Sequence, residues 1–190
     1  MPVPANYKGL AKQFRELPEA LQTYLSKLEY LLADGNNFDV ALAFVAMKLE
    51  EGHHRALKCG LVRRHLCHSG TVDRILDEQH FTHETFHRVF SNVFGLPIPN
   101  SAQRAHKEYT AKRNKMVHGK RVTSKDLRTG IHFSLIYVNE LGKFVEYHTG
   151  KNPYGDLRGL VARKKLISTT STEWMLKGFL ATQQNNSKKE

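Results

Sequence analysis

The chain has little that would staple or anchor it. Two cysteines in 190 residues exclude a disulfide-stapled miniprotein. Cys59 and Cys67 share one helical stretch, where the α-helical rise separates them by about 12 Å, too far for a bridge. Free thiols point to a reducing compartment, so the expected location is cytoplasmic. The longest apolar run, Val40 to Met47, is far too short to span a bilayer. The N-terminal M-P-V-P-A-N-Y-K-G-L lacks the apolar core of a signal peptide, and no membrane association is expected. There is no internal repeat. The sequence holds no G-x-S-x-G, no H-E-x-x-H and no phosphate-cradling glycine-rich loop, which removes the commonest hydrolase, zinc-protease and nucleotidase signatures. Trp174 is the only tryptophan and is expected to anchor a core.

What is present is an ordinary globular balance, 40% hydrophobic and 25% charged, with one departure. The net charge is +11, and it is unevenly placed. Residues 1–100 carry 11 Lys/Arg against 11 Asp/Glu, whereas residues 101–190 carry 18 against 7. The densest stretch, Arg104 to Arg128, has 9 basic residues opposed only by Glu108 and Asp126. A one-sided field of this kind attracts polyanions. Further basic runs at Arg63-Arg64 and Arg163-Lys164-Lys165 are candidates to track a nucleic-acid backbone.

Hydrophobic periodicity reads as helix almost throughout. Residues 1–16, with Pro2, Pro4 and Gly9, are expected to be irregular. Leu17, Leu21, Leu25, Leu28 and Leu32 form one stripe, and Asp34-Gly35-Asn36-Asn37 stops it. A long helical stretch follows from Phe38 to Cys67. A short helix is expected over Val72–Leu76, then one beginning near Thr82 and ending at Gly95. The next is capped by Asn100 or Ser101 and runs to about Val117. Thr123-Ser-Lys-Asp126 has capping-box spacing, with Asp in place of Glu or Gln. It opens a helix to about His148. A loop over Gly150–Gly159 and a last helix over Ser171–Leu180 complete the chain. The expected fold is an all-α bundle of roughly five to seven helices. Its organisation would be a helical domain over 17–148, a loop and C-terminal helix over 149–182, and a polar tail over 183–190.

The stretch that carries chemistry is Tyr109-Thr-Ala-Lys-Arg-Asn-Lys-Met-Val-His118-Gly-Lys-Arg121. A guanidinium is a planar fork of donors matched to phosphate, and an imidazole moves a proton near neutrality. Five residues at about 100° each leave Arg113 and His118 about 140° apart on an unbroken helix. Gly119 offers a left-handed exit that would turn His118 back, with Met116 and Val117 packing inward. The plainer alternative is that Arg113 pairs with Glu108 or another carboxylate on the surface and that His118 only complements the helix dipole.

Arg113-Asn114-x-x-x-His118, followed by Gly119 and a capped apolar helix, resembles the R-x(4–6)-H motif of the HEPN superfamily. The resemblance covers about residues 100–148. It implies an all-α domain and a metal-independent endoribonuclease of the prokaryotic defence or toxin type. It also implies a homodimer with a composite active site and an antitoxin as a candidate partner. Arg113 would stabilise the phosphoryl charge, His118 would be the general acid/base, and Asn114 would position a phosphate or orient His118. Lys112, Lys115, Lys120 and Arg121 would align the RNA. Lys120 stands where nucleotidylated members of the family have tyrosine, so control by that modification is not expected. The alternative is a non-catalytic HEPN-like module that binds RNA, nucleotide or protein.

No cofactor or metal is expected. His80, His83 and His87 follow H-x(2)-H-x(3)-H and would share one helical face that could bind a metal, but a solvated polar face is the expectation. His53-His54 are expected to be exposed.

Overall fold

The computed structural model describes residues 2–33, 36–162 and 166–184, with side chains described as far as 178. All regular structure among these residues is α-helical, as the periodicity implies. Nine helices are seen there: α1 Tyr7–Arg15, α2 Glu19–Tyr24, α3 Ser26–Leu31, α4 Phe38–Arg64, α5 Ser69–Asp77, α6 His83–Phe94, α7 Asn100–Val117, α8 Ser124–Thr149 and α9 Thr169–Gln184. The number exceeds the expected five to seven for two reasons.

The first is α1, in the segment expected to be irregular. Pro2 and Pro4 precede the helix rather than interrupt it. The Asn6 side chain caps it by accepting from the Gly9 N–H at 3.0 Å. Leu10 and Phe14, one turn apart, are buried. Gly9 is small because a Cβ there would meet the Pro4 side chain at 2.8 Å. The second is a break inside the leucine stripe. Leu25 leaves helical geometry at φ −105°, ψ 23°, and the Leu28 N–H bonds to the Leu25 carbonyl at 2.8 Å. Leu21, Leu25, Leu28 and Leu32 stay buried across the break, so the periodicity reports the buried face and not helix continuity.

The chain forms two compact units that interleave along the sequence. One comprises Met1–Gly52 and Ile98–Phe144, the other His53–Pro97 and Val145–Glu190. The first unit holds α1 to α3, the beginning of α4, α7 and most of α8. Its buried residues include Phe14, Leu42, Leu49, Tyr109, Ile131, Leu135 and Tyr137. The stretch 131–138, apolar enough to resemble a strand, lies inside α8.

The second unit holds the rest of α4, α5, α6, the end of α8 and α9. Phe86, Phe90 and Phe94 form the buried stripe of α6, with the rings of Phe90 and Phe94 stacked 4.3 Å apart. Gly95 closes α6 at φ +68°. Arg55 ties the loop after α8 by donating to the carbonyls of Pro153 (2.6 Å) and Gly155. Arg63, at the end of α4, donates to the carbonyls of Thr149 (3.3 Å) and Val161 (2.7 Å), so one member of the Arg63-Arg64 run serves loop closure. The helix α9 lies against α5, with Arg74 paired to Glu173 at 3.3 Å. Trp174 points outward and is 80% exposed, which overturns its expected role as a core anchor: among the described side chains of α9, Thr172 and Leu176 are the buried ones. The Arg163-Lys164-Lys165 run, Asp34-Gly35 and residues 185–190 lie outside the described residues.

Candidate functional site

The R-x(4)-H stretch lies in the first unit, at the end of α7. The helix is capped at its C-terminus by His118, and Gly119 takes φ +63°. The Lys120 N–H bonds to the Lys115 carbonyl at 3.0 Å and the Gly119 N–H to the Met116 carbonyl at 3.1 Å. These two bonds are the Schellman pattern, and they require the left-handed residue that glycine supplies. The expected termination is therefore present, and His118 stands exposed on it. The packing beneath it differs from expectation. Met116 is half-buried, but Val117 is 56% exposed, because it falls on the outer side of the last turn.

Arg113 is fixed by two neighbours. Its Nη1 donates to Asn114 Oδ1 at 3.2 Å. Its Nη2 lies 3.6 Å from Glu50 Oε1 of α4. The carboxylate partner is Glu50, a surface carboxylate other than Glu108. One turn before Arg113, the Tyr109 ring is buried, and that burial pushes its phenol up, opposed by the Arg113 charge and reinforced by Glu50. The hydrogen bond from Arg113 gives Asn114 the role of orienting the guanidinium.

Two of the four cations expected to align RNA are engaged within the protein. Lys112 Nζ lies 2.8 Å from Asp126 Oδ1, and Lys115 Nζ lies 3.6 Å from the same atom. Asp126 also completes the capping box at the start of α8. Its Oδ2 accepts from the Thr123 N–H (3.3 Å) and hydroxyl (3.0 Å), and its own N–H donates to Thr123 Oγ1 at 3.1 Å. The hydrogen bond from Lys112, aided by those from Thr123, holds the Asp126 carboxyl well below the usual carboxylate range. One acidic residue therefore joins the end of α7 to the start of α8. Lys120 and Arg121 stand exposed on the connecting segment.

Against known protein families, characterised proteins and solved structures, the chain shows no match.

Glu50 and Tyr109 escaped sequence reasoning. Glu50 lies far from Arg113 along the chain, and no local pattern links them. Asp126 was legible as a cap but not as the partner of two lysines.

A second polar cluster lies in the other unit, on α6 and the adjoining part of α4. His80 precedes α6, whose cap is Thr82, so it leaves the helical face on which the three-histidine spacing would put it. His83 and His87 remain on the helix one turn apart, with ring centroids 4.2 Å from each other. His53 is buried, contrary to expectation, and its ring stacks on Phe86 at 3.7 Å. Its neighbour His54 meets Phe81 edge-on at 5.4 Å. Burial pulls His53 down to about 3, helped by repulsion from His87, His54 and His83. Burial likewise pulls His87 down to about 4, with His83 contributing. Cys59 and Cys67 are both free and buried, and burial raises each thiol to about 11. Buried, protonated thiols of this kind are poor nucleophiles.

Among the described residues, no helix is long and apolar enough to cross a membrane.

Proposed function

We propose that this chain is a metal-independent endoribonuclease of the HEPN type, acting on RNA in the cytoplasm in a defence or toxin setting. The observation that carries the reading is the end of α7. There His118 sits exposed on a Schellman turn, one turn beyond an arginine oriented by Asn114 and Glu50. The cationic field of residues 101–190 supplies the attraction for a polyanion.

In the proposed reaction the ribose 2′-oxygen attacks the adjacent phosphorus while the bond from phosphorus to the 5′-oxygen breaks. The products are a 2′,3′-cyclic phosphate and a 5′-hydroxyl. His118 takes the 2′-hydroxyl proton or returns one to the leaving oxygen. Arg113 holds the charge that builds on the non-bridging oxygens. One imidazole serves one proton transfer at a time, so the second falls to the His118 of another copy in a composite homodimer site. Lys120 and Arg121 align the backbone. Lys112 and Lys115 act chiefly through Asp126, as supports of the turn. An antitoxin would act by covering the end of α7.

A second reading is favoured by the Glu50 carboxylate, which already occupies one side of Arg113. In that reading the chain is a non-catalytic module that binds RNA and releases it intact.

The test is to incubate the purified protein with RNA in excess EDTA, with circular dichroism verifying that it stays folded. The expected result is cleavage to cyclic-phosphate ends, reduced by at least about a hundredfold in Arg113→Ala and His118→Ala variants. Folded protein that leaves RNA intact supports the binding module. Cleavage unchanged in both variants refutes the assignment of the site.

A further inference from the structure

We propose that His83 and His87 form a chelating site for one divalent transition-metal ion of the zinc, cobalt, nickel or copper class. This site stands on the geometry of α6 and does not depend on the ribonuclease reading.

The two residues are four apart on one helix, so their side chains project from the same face one above the other. Each offers a ring nitrogen, and the two donor atoms lie within 4.8 Å of one another. The ring planes are tilted by 31°, so modest χ rotation brings both lone pairs onto one ion at the usual metal–nitrogen distance of about 2.0–2.1 Å. The helix beneath them is stiff. Thr82 caps it by accepting from the Thr85 N–H at 3.2 Å, and Phe86 and Phe90, on the adjoining stripe of the helix, are buried in the core. A rigid pair loses little conformational entropy when it binds.

The chemistry of the surroundings also fits. Both rings are half-buried. The Glu84 carboxylate is close enough for its charge to act on His83, and it offsets part of the added positive charge. Imidazole pairs select borderline transition metals over Mg²⁺ and Ca²⁺, which demand oxygen donors. His80 has left the helix face, so the sequence triplet reduces to this pair.

The experiment uses the full chain stripped of metal by chelator and dialysis. It is titrated with Co²⁺, read by visible absorption, and with Zn²⁺, read by calorimetry. The expected result is one ion per chain. His83→Asn and His87→Asn should each weaken binding by about ten- to a hundredfold, at least what a lost supporting contact costs a metal site. His80→Asn and His118→Asn should leave it unchanged. Binding of undiminished affinity in folded His87→Asn protein, or no binding at all by the wild type, overturns the proposal. Should either variant fail to fold, Cu²⁺ bound to the wild-type chain is read by electron paramagnetic resonance. Coupling to two imidazole nitrogens upholds the site, and its absence overturns it. None of these readouts involves RNA, so the outcome is separate from that of the cleavage assay.

Discussion

Replacing Asp126 with alanine removes a cap and a charge partner in one step, and the two losses can be separated. The carboxylate accepts from Thr123 at the first turn of α8 and from Lys112 at 2.8 Å. Loss of a capping side chain costs about 0.5–2 kcal/mol. Loss of a hydrogen bond to a charged group costs about 1.5–3 kcal/mol. Here only 22% of the Lys112 and 17% of the Asp126 side chain is exposed, so solvent screens the pair incompletely. The Lys115 contact, at 3.6 Å with that side chain 45% exposed, adds under about 1 kcal/mol. Asp126→Ala should therefore destabilise the protein by about 2–6 kcal/mol. Asp126→Asn keeps an oxygen for the Thr123 donors and should lose only about half of that. Urea unfolding followed by far-UV circular dichroism at pH 7 measures both. The carboxyl is held below its ordinary value, so its contribution is complete above pH 3.9 or so. It fades as the pH falls further, through the lower value of the folded state. A loss under about 0.5 kcal/mol for the alanine variant, or equal losses for both, would refute this account of the turn. The asparagine variant has a second consequence under the proposed function. Freed from Asp126, Lys112 and Lys115 become available to phosphate. Single-stranded RNA should then bind more tightly, with a log–log salt slope steeper by up to about 1.4.

Other outcomes follow from single positions. At Gly119, φ is +63° and a Cβ would meet nothing within 4 Å, so Gly119→Ala is a pure backbone perturbation. It should cost about 1 kcal/mol in urea unfolding and, by displacing His118, slow RNA cleavage more than it weakens RNA binding. Gly60 is the opposite case. A Cβ there would sit 2.5 Å from Val93 Cγ1 and 2.9 Å from the Phe94 ring, and both side chains are buried. Overpacking of about 1–3 kcal/mol should outweigh the gain of about 1 kcal/mol in helix propensity, so Gly60→Ala lowers the thermal midpoint. For His53, the unfolded state takes up its proton near 6.5 and the folded state only near 3. The unfolded chain therefore binds more protons between these values, and stability falls as the pH drops below 6.5. The groups that oppose its charge are His87, His54 and His83. By pH 4.5, two units below the unfolded value, the loss should be about 3 kcal/mol, at about 1.4 kcal/mol per unit. His53→Phe keeps a ring against Phe86 and should flatten this slope in a urea series from pH 7.5 to 4.5. An unchanged slope in that variant excludes His53 as its source.

The sequence alone determined what depends on neighbours along the chain. The all-α class was legible because the apolar positions of α4, α6 and α8 recur at helical spacing. The ends of α6 and α7 were legible because Gly95 and Gly119 sit where a left-handed residue is needed. The capping box at Thr123 was legible because both of its partners lie within one turn. α1 was missed because prolines just outside a helix carry the same local signal as prolines that break one. Tertiary structure decided the rest. It placed Glu50 beside Arg113, gave Asp126 two lysines to hold, buried His53 against Phe86 and turned Trp174 outward. Each of these depends on which surfaces of distant segments meet. That is fixed by the packing of whole helix faces and leaves no mark in the spacing of nearby residues.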